Sequence, residues 1–158
     1  MSRPALVVVG SLNMDFVVQV RHLPAPGQTV LGSGFRMIPG GKGANQACAA
    51  GRLAARTHDV RLIGCVGYDL FADHLKASLS AAGVDIAAVR SSKAAPTGIA
   101  TIWVEPGGQN SIVVAPGANS AIDKRDAESW RATMSNATWV LFQLETPLDA
   151  VAAALAVA

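Results

Sequence analysis

Three mostly apolar runs, each about as long as one strand, recur along the chain at residues 5–10, 60–66 and 138–144. They lack the strict alternation of apolar and polar positions that is typical of a strand with one solvent-exposed face. Runs of this kind are typical of strands buried on both faces of a parallel sheet. The pattern therefore predicts a parallel-sheet core.

Helical patterns separate these runs, at residues 44–56, 71–82 and 124–135. Asp69 and Asp123 precede the second and third helices and are their predicted N-caps. Buried strands that alternate with helices predict an α/β fold with crossover connections.

Four other segments mix β-branched and polar residues, at 15–20, 29–37, 98–104 and 111–115. Turn-forming residues join the first pair at positions 24–27 (Pro-Ala-Pro-Gly) and the second pair at 105–108 (Glu-Pro-Gly-Gly). We expect two antiparallel hairpins that form a small antiparallel β lid, spanning about residues 15–37 and 97–115.

Composition narrows the class of protein. The 158 residues suffice for one ordinary domain, and 51% hydrophobic with 15% charged residues is typical of a globular chain. The net charge is only +2 and the basic residues are scattered, with Arg52, Arg56 and Arg61 the nearest approach to a cluster, so no nucleic-acid partner is expected. Cys48 and Cys65 lack metal-ligand spacing, and no metal site is predicted. No leader or membrane span is recognised, and a cytoplasmic location is expected by default.

The last segment begins as a helix with Thr146-Pro147, where Thr is the expected N-cap, and it runs to residue 158. A crossover helix normally leads into a further strand. We therefore expect the chain to be the N-terminal part of a longer, apparently truncated protein.

Residues 40–46 read Gly-Gly-Lys-Gly-Ala-Asn-Gln and open the first helix. Glycines allow close approach of a backbone to a ligand, and a helix N-terminus offers free N–H donors. Gly43 follows Lys42 where a P-loop would need Ser or Thr, so the segment is not a Walker A motif. The pattern predicts a small ligand that is rich in hydroxyls or anionic. The alternative is a glycine-rich turn with a solvated lysine.

Several motifs in order resemble the PfkB (ribokinase-like) family of carbohydrate kinases. The resemblance spans essentially the whole chain. The matching segments are Gly10-Ser11-Leu12-Asn13-Met14-Asp15, residues 23–29, residues 40–47, Thr97-Gly98, Gly117-Ala118-Asn119 and Gln143-Leu144-Glu145.

The resemblance implies transfer of the ATP γ-phosphoryl group to a sugar hydroxymethyl group, with D-ribose as the expected sugar. By resemblance, the substrate-binding residues are Asn13, Met14, Asp15, Gly41, Lys42, Gly43, Ala44, Asn45 and Glu145. For Asp15 an Asx turn is the alternative, and for Glu145 an acid at a helix start.

The lid strands would cover the sugar, with Ala100, Ile102 and Ile112 as an apolar lining or, equally, as ordinary lid core. Family lids also pair between subunits, which implies a homodimer.

The family's second signature, which carries the catalytic aspartate, has no match in these 158 residues. No catalytic residue is therefore assigned here. The resemblance implies ATP, Mg²⁺ and an activating monovalent cation such as K⁺ in the full-length enzyme, none of them bound by this chain alone, and the isolated chain is expected to be inactive.

The alternatives are a kinase of this family for fructose, a nucleoside or a deoxy-sugar acid, or a non-catalytic sugar-binding fragment or remnant.

Overall fold

The computed structural model describes residues 3–54 and 57–158. The chain forms nine strands and four α-helices in this part. The strands are β1 (Ala5–Val9), β2 (Asn13–Gln19), β3 (Ser33–Gly40), β4 (Asp59–Val66), β5 (Val84–Asp85), β6 (Val89–Ser91), β7 (Gly98–Val104), β8 (Asn110–Ala115) and β9 (Ala137–Phe142). The helices are α1 (Lys42–Ala54), α2 (Leu70–Ala81), α3 (Asp126–Met134) and α4 (Leu148–Val157), with a 3₁₀ helix at Gly117–Ala121.

The core is a parallel sheet with strand order β5-β4-β1-β9, and β6 pairs with the far end of β4. β1 is central, because Val7 pairs with Arg61 of β4 on one side and Val140 of β9 on the other. Val7, Val8 and Val9 are buried. The predicted α/β fold with a parallel core is confirmed.

Two apolar clusters cover the two faces of this sheet. Val8 and Leu62 pack with residues of α1 and α2, such as Ala47 and Leu75. Val7, Val9 and Ile63 face the other way and pack with residues of α3 and α4. Because both faces are covered, the strands need apolar residues at consecutive positions, which explains the mostly apolar runs in the sequence.

The lid is a second sheet with strand order β3-β2-β7-β8. The β2–β3 and β7–β8 pairs are antiparallel, as predicted, but β2 and β7 run parallel. The expectation of a purely antiparallel lid was therefore wrong. Both β2 and β7 leave the core in the same direction, so the pairing of two hairpins through them is necessarily parallel.

Several predicted boundaries shift. The first helix already begins at Lys42, and its predicted last residues, 55 and 56, lie outside the described residues. β3 starts at Ser33, four positions later than predicted. Asp69 caps α2 as expected, with its carboxylate accepting from Ala72 N at 3.0 Å.

Two predicted caps were wrong. The α3 helix begins at Asp126, and Asp123 accepts from Arg125 N at 2.7 Å in the preceding turn. The last helix begins at Leu148 with Pro147 in the cap position, so Thr146 does not cap it. Among the described residues, no helix is both long and apolar enough to cross a membrane.

Candidate functional site

Glu145, just after β9, joins two other segments of the chain through hydrogen bonds. One carboxylate oxygen accepts from Ser11 Oγ at 2.7 Å and from Lys42 N at 3.1 Å, while the other accepts from Lys42 Nζ. Ser11 lies in the β1–β2 connection and is fully buried. We call Ser11, Lys42 and Glu145 the Glu145 cluster. It brings together three motifs that are far apart in sequence.

The pKa of Glu145 reflects a balance of burial and hydrogen bonding. Burial acts to raise this pKa, but the hydrogen bonds from Lys42 Nζ, Ser11 Oγ and Lys42 N outweigh it and hold the pKa below its ordinary value. Glu145 is therefore an ionised acceptor at neutral pH.

The first turn of α1 does not offer the free N–H donors that the sequence analysis expected. Lys42 N donates to Glu145, and Gly43 N donates to Ser11 Oγ at 3.4 Å. Ala44 N donates to Ser11 O at 2.9 Å, and Asn45 N to Gly41 O at 2.8 Å. The protein itself thus satisfies these four donors. Substrate binding by Gly41, Gly43 and Ala44 remains a prediction.

Close backbone packing explains why glycines occupy this turn. A Cβ on Gly43 would lie 2.5 Å from the carbonyl carbon of Gly10, so only glycine lets α1 begin against the β1–β2 connection. Gly41 has φ of 91°, which favours glycine, and a Cβ there would lie 2.7 Å from Asn13 N and 2.8 Å from Ser11 O. The glycines therefore position the α1 terminus, and Ala44 is buried beneath it.

Asp15 lies on β2 near the Glu145 cluster. Burial raises the pKa of its carboxyl group, and the negative charge of Glu145 raises it further. Its carboxylate lies over Gly40, where a Cβ would be 2.2 Å from Oδ2. Among the described residues no hydrogen bond to this carboxylate is found, so Asp15 can accept hydrogen bonds from a ligand.

Asn13 and Met14 occupy opposite faces of β2. Asn13 shares its face with Asp15, two positions along, whereas Met14 points into the core with Val8 and Leu62 and is 1% exposed. The Met14 side chain therefore packs in the core and lies on the other face from Asn13 and Asp15, while substrate binding at this position remains a prediction.

The side chains of Lys42 and Asn45 are exposed at the start of α1. Lys42 is engaged by Glu145, while Asn45 has no side-chain partner among the described residues. Together with Asp15 and Asn13, they provide both donors and acceptors, as recognition of hydroxyl groups requires.

The proposed lid lining shares the Asp15 face of the lid sheet. Ala100 pairs directly with Asp15, and Ile102 pairs with both Val17 and Ile112. Ala100 is buried at the base of the lid, while Ile112 is 53% exposed further out. This placement agrees with either a lining role or a role in lid packing, so the lining remains a prediction.

Sequence reasoning missed Ser11 and Gln143 as members of the site. Ser11 holds Glu145 in place, and Gln143 donates to Gln46 of α1 across the end of the sheet. Both belong to motifs quoted for the family resemblance, but nothing in a single sequence distinguishes a residue that binds a ligand from one that holds the binding residue.

A cleft of about 390 Å³ elsewhere on the molecule contains none of these residues. It is lined by two arginines that each have an acidic partner: Arg61 Nε lies 3.9 Å from Asp85 Oδ2, and Arg90 Nη2 lies 3.1 Å from Asp126 Oδ2. The balanced charges give this cleft no preference for an ionic ligand, and the candidate site remains the group of polar side chains around Asp15 and Glu145.

Comparison with known proteins agrees with this geometry. The chain is 38% identical over 156 residues to the ribokinase of Haemophilus influenzae, an alignment that covers 99% of this chain and 50% of that protein. It is similar in structure to the ribokinase of Giardia lamblia, with a TM-score of 0.85 and 34% identity over 98% of this chain and 50% of that one.

A ribokinase of Arabidopsis thaliana, solved in complex with ribose and ATP, has a TM-score of 0.78 and 34% identity, covering 99% of this chain and 51% of that one. The chain thus spans about half the length of the curated relatives it matches. The model of the pfkB family of carbohydrate kinases matches residues 3–158. The chain therefore belongs to the pfkB carbohydrate kinase family.

Proposed function

We propose that this chain is the sugar-binding, lid-bearing N-terminal part of an ATP-dependent kinase that phosphorylates D-ribose to ribose 5-phosphate. The observation that carries the proposal is the half-buried Asp15 carboxylate, which has no hydrogen-bond partner among the described residues and lies close enough to Glu145 for their charges to interact. Similarity to ribokinases, one of them solved with ribose and ATP, supports ribose as the sugar.

The residues of this chain would bind and orient the sugar. Asp15 and Glu145 accept hydrogen bonds from hydroxyl groups, Lys42 donates, and the amides of Asn13 and Asn45 complete the set. A sugar that lacked a matching hydroxyl would leave one of these groups unpaired and would bind more weakly. The lid would cover the sugar and exclude water from it.

ATP with Mg²⁺ would supply the phosphoryl group, and K⁺ would act as activator. In the part of the chain that the structure describes, no three His, Cys, Asp or Glu side chains cluster as metal ligands. Our proposal assigns no role in phosphoryl transfer to the described residues. It includes a cytoplasmic location and a homodimer formed through the lid.

The test is phosphorylation by the full-length gene product with ATP, Mg²⁺ and K⁺, using ribose, 2-deoxyribose, fructose and adenosine in parallel. We expect ribose to have the highest kcat/KM. The Glu145→Gln variant should raise KM for ribose by about 10- to 100-fold, because a hydrogen bond to a charged group contributes about 1.5–3 kcal/mol.

Asp149→Asn, which changes an exposed carboxylate at the start of α4, is the matched control and should leave KM unchanged. Preferential phosphorylation of fructose or adenosine would contradict ribose as the substrate. An unaltered KM in Glu145→Gln would contradict the site.

A further inference from the structure

Asn119 lies in the 3₁₀ helix that follows the lid strand β8, and its side chain is only 1% exposed. Its Oδ1 accepts from Leu12 N at 2.9 Å. Its Nδ2 lies within donating distance of three oxygens, at 3.0 Å from Leu12 O, 3.0 Å from Pro116 O and 2.8 Å from Asn13 Oδ1. The Asn119 amide thus joins three parts of the chain by hydrogen bonds. They are Leu12 between β1 and β2, Pro116 at the end of β8 where the lid meets the core (the root of the lid), and the side chain of Asn13.

These neighbours permit only one orientation of the Asn119 amide. If its oxygen and nitrogen were exchanged, the oxygen would face the carbonyl oxygens of Leu12 and Pro116, and the NH₂ group would face the Leu12 N–H. Because backbone groups cannot exchange donor and acceptor, the position of the Asn119 NH₂ group is fixed by the fold.

The fixed NH₂ group determines in turn how Asn13 is presented. Asn13 must turn its Oδ1 toward Asn119, which leaves Nδ2 on the other side. No hydrogen bond from Asn13 Nδ2 to another described residue is found. Asn13 is 4% exposed, and Nδ2 is not among the fully buried side-chain atoms that lack a partner in the described part of the chain, so this atom keeps a small accessible area.

Gly98 makes this contact sterically possible. It pairs with Asn13 at the base of the lid, and a Cβ there would lie 2.2 Å from Asn13 Oδ1 and 2.4 Å from Asn119 Nδ2. The two amides can therefore meet only because position 98 has no side chain that would lie between them.

We propose that Asn119 is a positioning residue of the sugar site: it occupies the acceptor atom of Asn13, so that Asn13 meets a sugar hydroxyl only as a donor. Asp15, on the same face of β2, is then the acceptor beside this donor. This inference rests on the proposed function, because it assigns the direction of hydrogen bonds in that same site.

The test is a double-mutant cycle on ribose affinity, measured by calorimetry of the full-length gene product. Asn119→Ser should raise the Kd for ribose by about tenfold when Asn13 is present, the value of one hydrogen bond. In the Asn13→Ala background the same change should have less than a twofold effect, because the residue through which Asn119 acts is gone. Asn136→Ser, at an exposed position after α3, should change neither value.

A purely structural role for Asn119 would give the same loss of affinity in both backgrounds, and that result would overturn the proposal. So would an unchanged Kd in Asn119→Ser. Asn119→Ala, which removes the donated bonds without placing an oxygen against the carbonyl groups of Leu12 and Pro116, serves as a second variant if Asn119→Ser does not fold.

A second measurement does not depend on ribose. The order parameter of the Asn13 side-chain NH₂ group from ¹⁵N relaxation should be high in the wild-type protein and should fall in Asn119→Ser. An equally low value in both proteins would overturn the proposal. If the wild-type protein binds no ribose, the proposed function fails, while this measurement still decides the contact between Asn119 and Asn13.

Discussion

At the scale of single residues, the site combines two carboxylates with opposite pKa shifts. Hydrogen bonds from Ser11 and Lys42 hold the pKa of Glu145 low, whereas burial and the nearby Glu145 charge raise the pKa of Asp15. One acid is thus stabilised in its ionised form by the protein, and the other is left to be stabilised by a ligand.

The raised pKa of Asp15 predicts opposite effects of Asp15→Asn on stability and on binding. A carboxyl group with a raised pKa in the folded state contributes stability at low pH that is lost as the pH rises through the folded-state pKa. Asp15→Asn should therefore raise Tm at pH 7. It should also weaken ribose binding by about 10- to 100-fold, because the acceptor is lost. Calorimetry of folding and of ribose binding measures both effects.

The pH profile provides the check. Ribose affinity of the wild-type protein should fall as the pH drops toward the raised pKa of Asp15, and Asp15→Asn should lack that part of the profile. Asp73→Asn, at an exposed position on α2, should retain the wild-type profile. Identical profiles for the wild-type protein and Asp15→Asn would show that Asp15 does not bind the sugar.

The sequence predicted which residues belong to the site better than it predicted their hydrogen-bond partners. Asp15, Lys42 and Glu145 were selected because the motifs that contain them resemble those of the family. The bonds of Glu145 to Lys42 and to Ser11 join residues that are 103 and 134 positions apart, and the bond from Gly43 N to Ser11 spans 32 positions. The pattern of residues in a single sequence does not reveal which distant positions lie close together in the fold.

At the scale of elements, the lid is attached to the core by polar contacts near its root. Asp69, which caps α2, also accepts from Thr97 N at 2.8 Å and from Thr97 Oγ1 at 2.7 Å, immediately before β7. Thr97 Oγ1 in turn accepts from Gly67 N at 2.9 Å. A helix cap and a lid anchor therefore share one carboxylate.

Asp69→Ala should destabilise the protein by about 1–2 kcal/mol at neutral pH, the usual cost of losing an N-cap, and should also loosen the lid. Although burial acts to raise the pKa of Asp69, hydrogen bonds from Thr97 and Ala72 lower it on balance. The stabilisation is therefore fully present above the ordinary value of 3.8 and is lost as the pH falls through the lowered pKa. Urea unfolding from pH 7 down to pH 3 measures both effects.

Asp69→Asn separates the charge from the cap, since an Asn side chain also accepts from backbone N–H groups at an N-cap. It should lose the acid dependence and have a neutral-pH stability between those of the wild-type protein and Asp69→Ala, because its single oxygen can keep the cap at Ala72 N but not also accept from Thr97 N. Asp73→Ala, in the first turn of the same helix, is the matched control. Equal stability of Asp69→Ala and the control would contradict the role of Asp69.

Element prediction succeeded where the pattern is local. The core strands and α2 follow from apolar runs and an Asp cap. The parallel pairing of β2 with β7 was missed because the order of strands in a sheet depends on contacts between hairpins that lie about 80 residues apart. The same reason explains why the short strands β5 and β6 were not recognised, as they are defined mainly by their pairing with β4.

At the scale of the whole molecule, the lid exposes large apolar side chains beyond its root. On the Asp15 face these include Ile112 and Val114, which are 53% and 46% exposed. Exposed apolar residues on a thin sheet are typical of surfaces that a second protein covers. They support the proposed homodimer through the lid.

The double variant Ile112→Lys/Val114→Lys should convert the proposed dimer of the full-length gene product into a monomer, because burying two lysines at an apolar interface is unfavourable. Gln109→Lys, at an exposed polar position in the turn before β8, is the control and should leave the dimer intact. Sedimentation velocity measures the species present. A wild-type monomer, or a dimer that survives the double variant, would contradict the proposal.

The residues where the lid meets the core have a mechanical consequence. Asn13 is paired with Gly40 on one side and Gly98 on the other, so this row across the sheet carries a single side chain. Rotation of the outer sheet about that row would move the groups that fill the space beside its glycines, the Asp15 carboxylate at Gly40 and the Asn119 amide at Gly98. It would also strain the directional bonds of Asn13 to Asn119 and of Thr97 to Asp69. The speed with which a captured molecule escapes would accordingly be set by a handful of polar attachments, and single substitutions could tune it without disturbing the hydrophobic interior.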